Sequence, residues 1–577
     1  MCGFYFQYNK KKSEFLNSNK IFKLLKHRGP DDKGLYFKKK ILAIHTLLKI
    51  QDVSNKSKQP FSIKFKNQKF NIIYNGEIYN KDEIKKKILK TTHYKLKTDG
   101  DTELFLLSFI LWGENFIKKI EGMFAYVIWS ENSERIHFGR DQFVQKPLYY
   151  FDSEKYLILS SEIKPILHAL NFHKEKISLN VESIKNYLLN NNFSNNEETF
   201  FKEIKQINGG NIGTVVKKKI KIKKILKLNR PNKSKKKSIN INKFENFVEN
   251  IVNQHMVGKV KTGIALSSGA DSRFLLYLIS KNKKFLKNLT AFTFAFENFK
   301  NETQDAVSMC QKLNINHSII YLKNKDLLYE FKRLIKFNEF PLGGLPQIAM
   351  FKLCEKAREK GIKVLIGGYG ADEHFGSYKA FSSKKIRENQ LVDGRVLNNE
   401  EFIKNPIKKK SKTLLNNQSF YEKKINYFLN LKIPRTSLMC DRFSMSNSVE
   451  FRNPFLDRRI YDFINQSDYQ YSQNIKKYPI IQILKQKGFF KRNYKKNYIQ
   501  SPQTQFMKNK SITKIFKNIT YDNEFAQNVD FIKINKIIKK INIKQNLAWQ
   551  MMNIYYFFHT FKKFIFKKIS KNRLHKR

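Results

Sequence analysis

The chain has 577 residues, more than one hydrophobic core usually organises, and 41% of them are hydrophobic, enough for two cores. Its 111 Lys and Arg against 49 Asp and Glu give a formal charge of +62, which alone would point to nucleic acid or an anionic membrane surface. The distribution argues against both, because lysine is spread through every region among Asn and Ile, with no arginine-rich stripe and no nucleic-acid module.

Four cysteines, Cys2, Cys310, Cys354 and Cys440, show neither a CxxC pair nor metal-ligand spacing, so no disulfide framework or zinc site is expected and a reducing cytoplasm fits. The N-terminus lacks the apolar run of a signal peptide, and nowhere do the roughly 18–20 uninterrupted apolar residues of a spanning helix occur. The closest stretch, Trp549 to Phe561, contains Gln550, Asn553 and His559 and reads as a buried amphipathic helix.

Residues 1 to about 215 carry short β-type runs (ILAIHTLLKI, FNIIYNGEIYN, GMFAYVIW, RIHFGRD, KYLILSSEI), with helical patterns at 81–90 and 103–112, and predict an α+β domain of stacked sheets with helices outside. Residues 216–242 alternate like an edge hairpin and then turn Pro-, Asn-, Ser- and Lys-rich like a linker, which places a domain boundary there. From 243 onward helices and strands alternate (helix 243–256, strand GIALS, helix 272–280, strand LTAFTFAF, helix 304–313, strand HSIIYL). That alternation predicts a parallel, doubly wound sheet with ligands at the carboxyl ends of its strands. After about 385 the pattern to residue 577 is mostly helical and irregular.

Two strand ends carry candidate chemistry. GIALSSGADSR (263–273) runs from a strand through small residues into an apolar helix, a junction that aims unpaired backbone N–H groups at an anion. It lacks the Gly-Lys-Ser/Thr of a Walker loop, and an ordinary strand-to-helix turn explains it equally well on its own. An acid at Asp271 beside a phosphate calls for a cation, taken as Mg²⁺. VLIGGYGADE (364–373) is a second apolar strand ending in glycines and carboxylates, and two ends of one parallel sheet can bring Asp271 and Asp372 onto one metal.

Taken with Met1-Cys2-Gly3, HRGPDD (27–32), YNGEIYN (74–80), TDGDTE (98–103), EGMFAYVIW (121–129), GRDQFVQKPLYY (139–150), SSEIK (160–164) and SVEFRNPFLD (448–457), these motifs resemble the glutamine-dependent asparagine synthetase family in order and approximate spacing over nearly the whole chain. The resemblance implies an N-terminal-nucleophile glutaminase domain, an αββα sandwich, followed by an α/β adenine-nucleotide α-hydrolase-like synthetase domain over 243–577. It further implies that Cys2, freed of Met1, attacks glutamine with its own α-amine as base. By the same resemblance Asn75 and Gly76 form the oxyanion hole, Glu77 and Asp101 recognise the glutamine amino group, and Arg28 shapes the pocket.

For the second domain the resemblance implies ATP at Leu266, Ser267, Gly269, Ser272, Phe294, Gly367 and Gly368, with Mg²⁺ on Asp271 and Asp372. ATP would go to AMP and pyrophosphate, and Lys496 would neutralise phosphate charge. The expected partners are glutamine, ATP and a carboxylate, first of all aspartate; neither nucleic acid nor membrane is expected, and a homodimer is left open.

Three departures matter. Leu47 in HTLLKIQD stands where the family arginine clamps the glutamine α-carboxylate, which predicts a high glutamine KM, with Lys49 the nearest replacement cation. Ser268 and Arg273 replace family Gly and Ser beside the phosphates. Tyr369 replaces a glutamate; in related β-lactam synthetases a tyrosine there works with an acid, a position that Asp441 matches. The acceptor therefore stays open between aspartate and another carboxylate, such as a sugar uronic acid or a secondary metabolite, and a non-catalytic nucleotide-binding homologue is a third reading.

Overall fold

The computed structural model of the chain describes residues 2–130, 135–193, 197–228, 239–299, 303–375, 400–405, 428–466, 477–490, 502–540 and 545–565. Lys496 and part of the linker lie outside these residues.

The N-terminal part is built on two six-stranded antiparallel sheets. One is centred on Cys2–Asn9, flanked by Ile41–Leu47 and Tyr156–Ser160; the other on Gln68–Ile78 and Gly122–Ser130. Side chains alternate across a strand. Phe4, Phe6 and Tyr8 therefore enter the layer between the sheets with Ile73, Val127 and Trp129, while Tyr5 points to the opposite face with Ile44 and Ile158. Helices Ser18–Leu25 and Ile163–Phe172 cover that outer face, and Lys81–Thr91 and Thr102–Trp112 cover the other sheet, giving four layers. The expected edge hairpin is Asn211–Val216 paired with Lys219–Lys224.

The second part carries a five-stranded parallel sheet in the order Asn316–Leu322, Leu289–Phe296, Thr262–Ala265, Val364–Ile366, Glu450–Arg452. The strand pattern predicts four of these; Glu450–Arg452 completes the sheet and was not expected as a strand. Thr262–Ala265 lies between Leu289–Phe296 and Val364–Ile366, so its end and that of Val364–Ile366 are adjacent.

The two parts share a continuous apolar core that runs from Tyr5 and Ile158 through Leu342 and Ile348 to Trp549. Helix Gln545–Phe561 is buried as its sequence predicts, and its two buried amide side chains find partners there: Gln550 donates to the Tyr187 carbonyl at 2.7 Å and Asn553 accepts from the Leu342 amide at 2.8 Å. No helix among the described residues is long and apolar enough to cross a membrane.

Candidate active sites

Cys2 opens the central strand of its sheet, with Leu47 as cross-strand partner. Its backbone N–H donates to Asn75 Oδ1 at 3.1 Å, and Arg28 Nε holds its carbonyl at 3.1 Å. Asn75 Nδ2 is buried and has no hydrogen-bond partner among the described residues, which leaves it able to donate. A side chain at Gly76 would meet the Met123 carbonyl at 2.4 Å, so the strand tolerates only glycine there. Burial pushes the Cys2 thiol up and favours its protonated form.

Glu77 and Asp101 both border this strand end. Asp101 accepts from Ile78 N–H at 3.0 Å and Tyr74 Oη at 3.2 Å; Glu77 takes a hydrogen bond from Gln51 and lies 3.0 Å from Arg452 of the second part. The sequence gives no hint of that last pair, which joins residues far apart in the chain. Lys49 does not share the strand face of Leu47 as alternation suggests: its ammonium is bound to Asn55 Oδ1 at 2.6 Å in an exposed position, because the strand ends at Leu47 and the alternation with it.

The second site lies at the adjoining strand ends. Ser272 Oγ accepts from the Ser267 amide at 3.0 Å, and the Gly269 amide is turned onto Ser267 Oγ at 3.1 Å, folding Leu266–Gly269 into a tight turn against the first turn of helix Ala270–Ser280. Thr293 Oγ1, next to the half-buried Phe294, ties the neighbouring strand to Leu266 O at 2.9 Å. A Cβ at Gly368 would stand 2.9 Å from Asp271 Cβ, and one at Gly367 2.1 Å from the Phe451 ring. Gly368 lets the two loops touch, and Gly367 makes room for Phe451 of the neighbouring strand.

Asp271 and Asp372 do converge, and between them sits the ammonium of Lys477, 2.7 and 2.5 Å from the Asp271 oxygens and 2.6 Å from Asp372. Burial opposes its charge, yet the two carboxylates hold Lys477 above its ordinary range. Two carboxylates facing one buried positive charge form a donor set that suits a hard cation such as Mg²⁺. Among the described residues no group of three or more His, Cys, Asp and Glu side chains offers a fuller metal cage. Lys477 was missed from the sequence, where a lone lysine in so basic a chain carries no signal.

Two further expectations need correction. Arg273 does not line the phosphate loop: its guanidinium is held by Asp305 at 2.8 Å and the Phe489 carbonyl at 3.0 Å and lies over the Phe490 ring. Asp441, the acid that the resemblance pairs with Tyr369, is engaged by Arg28. Arg28 takes both Asp441 oxygens in a fork at 2.7 and 2.8 Å, and with Arg442 it holds the Asp441 carboxyl below its ordinary range despite burial. Tyr369 packs tilted on Phe451, and burial pushes its phenol well up.

Compared with known proteins, residues 1–226 match the glutamine amidotransferase domain family and residues 243–532 the asparagine synthase family. The chain is 26% identical over 521 residues to the glutamine-hydrolysing asparagine synthetase 1 of Bacillus subtilis, covering 80% of each. It is 23% identical to asparagine synthetase 3 of the same organism, covering 76% of each. It is also 25% identical to the amidase chry2 of Gibberella zeae, over 63% of this chain and 56% of that one.

Proposed function

Because the chain belongs to the glutamine-hydrolysing asparagine synthetase family and is a glutamine-dependent carbon–nitrogen ligase, we propose that its acceptor is aspartate, adenylated at the second site and amidated by ammonia released at the first. The observation that carries the adenylation half is the meeting of Asp271 and Asp372 on one buried positive charge, at the mouth of a strand-to-helix loop suited to phosphate.

In this reading Met1 is removed, and the Cys2 nitrogen, already beside Asn75 Oδ1, becomes the amine that takes the thiol proton. The thiolate attacks the side-chain amide of glutamine, Asn75 Nδ2 and the Gly76 amide stabilise the oxyanion, and ammonia leaves with the proton returned by the same amine. Glu77 and Asp101 hold the α-amino group. At the second site Ser267, Gly269 and Ser272 receive the ATP phosphates between Leu266, Phe294, Gly367 and Gly368, and Lys477, with Lys496, offsets phosphate charge. Mg²⁺ held by Asp271 and Asp372 would supply further neutralisation of the departing pyrophosphate. Aspartate is favoured over the tyrosine-assisted alternative because the acid which that alternative needs, Asp441, is committed to Arg28.

The test supplies MgATP and ammonia with a panel of carboxylates: aspartate, glutamate, a uronic acid and a β-amino acid. Aspartate-dependent release of AMP and pyrophosphate with formation of asparagine is expected. Equal release with a different acid alone would move the reading to that acceptor, and release with none would leave a nucleotide-binding homologue.

A further inference from the structure

The position of the family's carboxylate clamp is apolar here. Leu47 is buried between Cys2 and Asp32 on the neighbouring strands and offers no charge, and Lys49 is turned out to Asn55. We infer that Lys81 holds the α-carboxylate of the nitrogen donor in place of that arginine; the inference rests on the glutaminase reading above.

Among the described residues two cations, Arg452 and Lys81, contact Glu77 or its partner Gln51. Arg452 is fixed by its neighbours: Nε is on Glu450 and Nη1 on the carbonyls of His255 and Val257, while Nη2 lies 3.0 Å from Glu77, buried and without a hydrogen bond among the described residues. Lys81, at the start of helix Lys81–Thr91, differs. Its ammonium donates to Gln51 Oε1 at 2.7 Å and to the Asp99 carbonyl. An ammonium has three N–H donors, and the third has no partner among the described residues. Gln51, the acceptor of the first bond, itself donates to Glu77, and Lys81 is the leading charge that favours the Asp101 carboxylate against burial. Lys81 is thus one side chain, Gln51, away from Glu77, and its charge acts on Asp101.

An α-carboxylate shares its carbon with the α-amino group, so a donor whose amine rests on Glu77 and Asp101 presents its carboxylate within reach of this lysine's flexible stem. Asp99, the other acid nearby, directs its carboxylate to Lys259 at 2.9 Å and leaves Lys81 only a carbonyl. The substitute is weaker than the residue it replaces: a half-buried point charge lacks the planar two-pronged fork of a guanidinium. The substrate class this favours is an α-amino acid amide with a free carboxylate, held with modest affinity.

The experiment measures ammonia release by the full chain from L-glutamine and from L-glutamine α-amide, which lacks the carboxylate. The wild type is expected to prefer glutamine by roughly tenfold or more in KM, the discrimination a charge-assisted hydrogen bond supplies. Lys81→Ala should erase most of that preference by raising the KM for glutamine alone, and Lys81→Arg should keep it. If Lys81→Ala also loses ammonia-driven AMP formation, Lys81→Gln takes its place with the same expectation. Preference unchanged in the charge-free variant, a KM raised equally for both donors, or no preference in the wild type overturns the assignment. No ammonia from glutamine with wild type would instead sink the glutaminase reading beneath it.

Discussion

A lysine ammonium between Asp271 and Asp372 is the most informative single contact in the molecule, since it shows two strand-end carboxylates directed at one positive charge. Removing one oxygen donor while keeping the side chain's shape should cripple adenylation alone. Asp372→Asn is expected to cut pyrophosphate release by about a hundredfold or more and to leave glutamine hydrolysis intact, measured as pyrophosphate and as glutamate in parallel. Near-normal pyrophosphate release would remove both aspartates from the phosphate site. The aspartates were legible because each follows an apolar strand and a glycine-containing turn, a local pattern. Lys477 was not, because its meaning lies only in partners more than a hundred residues upstream. Asp441 was legible as a charge, but its partner Arg28, 413 positions away, could not be read from any spacing.

Among the elements, the strands with clear apolar runs are where the sequence predicts them, with ends shifted by a few residues. Cys2–Asn9 was passed over as a strand because a central strand buried on both faces loses the apolar–polar alternation: Gln7 and Asn9 are buried in it, satisfied by one another at 2.9 Å. Glu450–Arg452 is too short to show a period, and its charges read as chemistry rather than as sheet. Helix Ile241–His255 ends against the first part, where His255 stacks on Tyr79 with ring centroids 3.5 Å apart and faces Asp457 at 3.4 Å, Arg452 binding its carbonyl. Burial pushes His255 down to about 4, against the pull of Asp457. A histidine whose folded pKa is lowered takes up its proton more readily unfolded. Its contribution is therefore complete above about 6.5 and is lost as pH falls from there toward 4, an effect on the order of 3 kcal/mol. Thermal midpoints measured from pH 7 to pH 4.5 should fall, and His255→Gln should flatten that fall. An unchanged slope in the variant would mean that other groups carry it.

Across the whole molecule the two parts are joined by a buried ionic cluster as well as by apolar packing. Arg28 and His27 of the first part meet Asp441 of the second and Glu162 of the first; Arg442 reaches Glu162 at 3.3 Å and Glu339 at 2.7 Å. Glu339 in turn accepts the Ile163 and Lys164 amides at 2.8 and 2.7 Å. Since Arg28 also holds the Cys2 carbonyl, the cluster connects the nucleophile's strand to the synthetase part. Asp441→Asn leaves Arg28 buried with half its countercharge, and removal of one member of such a pair costs about 3–5 kcal/mol. That variant should melt earlier and also hydrolyse glutamine more slowly, although Asp441 lies outside the glutaminase part; full glutaminase activity would reduce the cluster to a structural joint. The central claim, adenylation of aspartate followed by amide formation, is tested most directly with aspartate labelled with ¹⁸O in its side-chain carboxylate. The account predicts one ¹⁸O atom carried into AMP for each asparagine formed, with none in pyrophosphate; label in inorganic phosphate with ADP as product, or asparagine formed without labelled AMP, would contradict it.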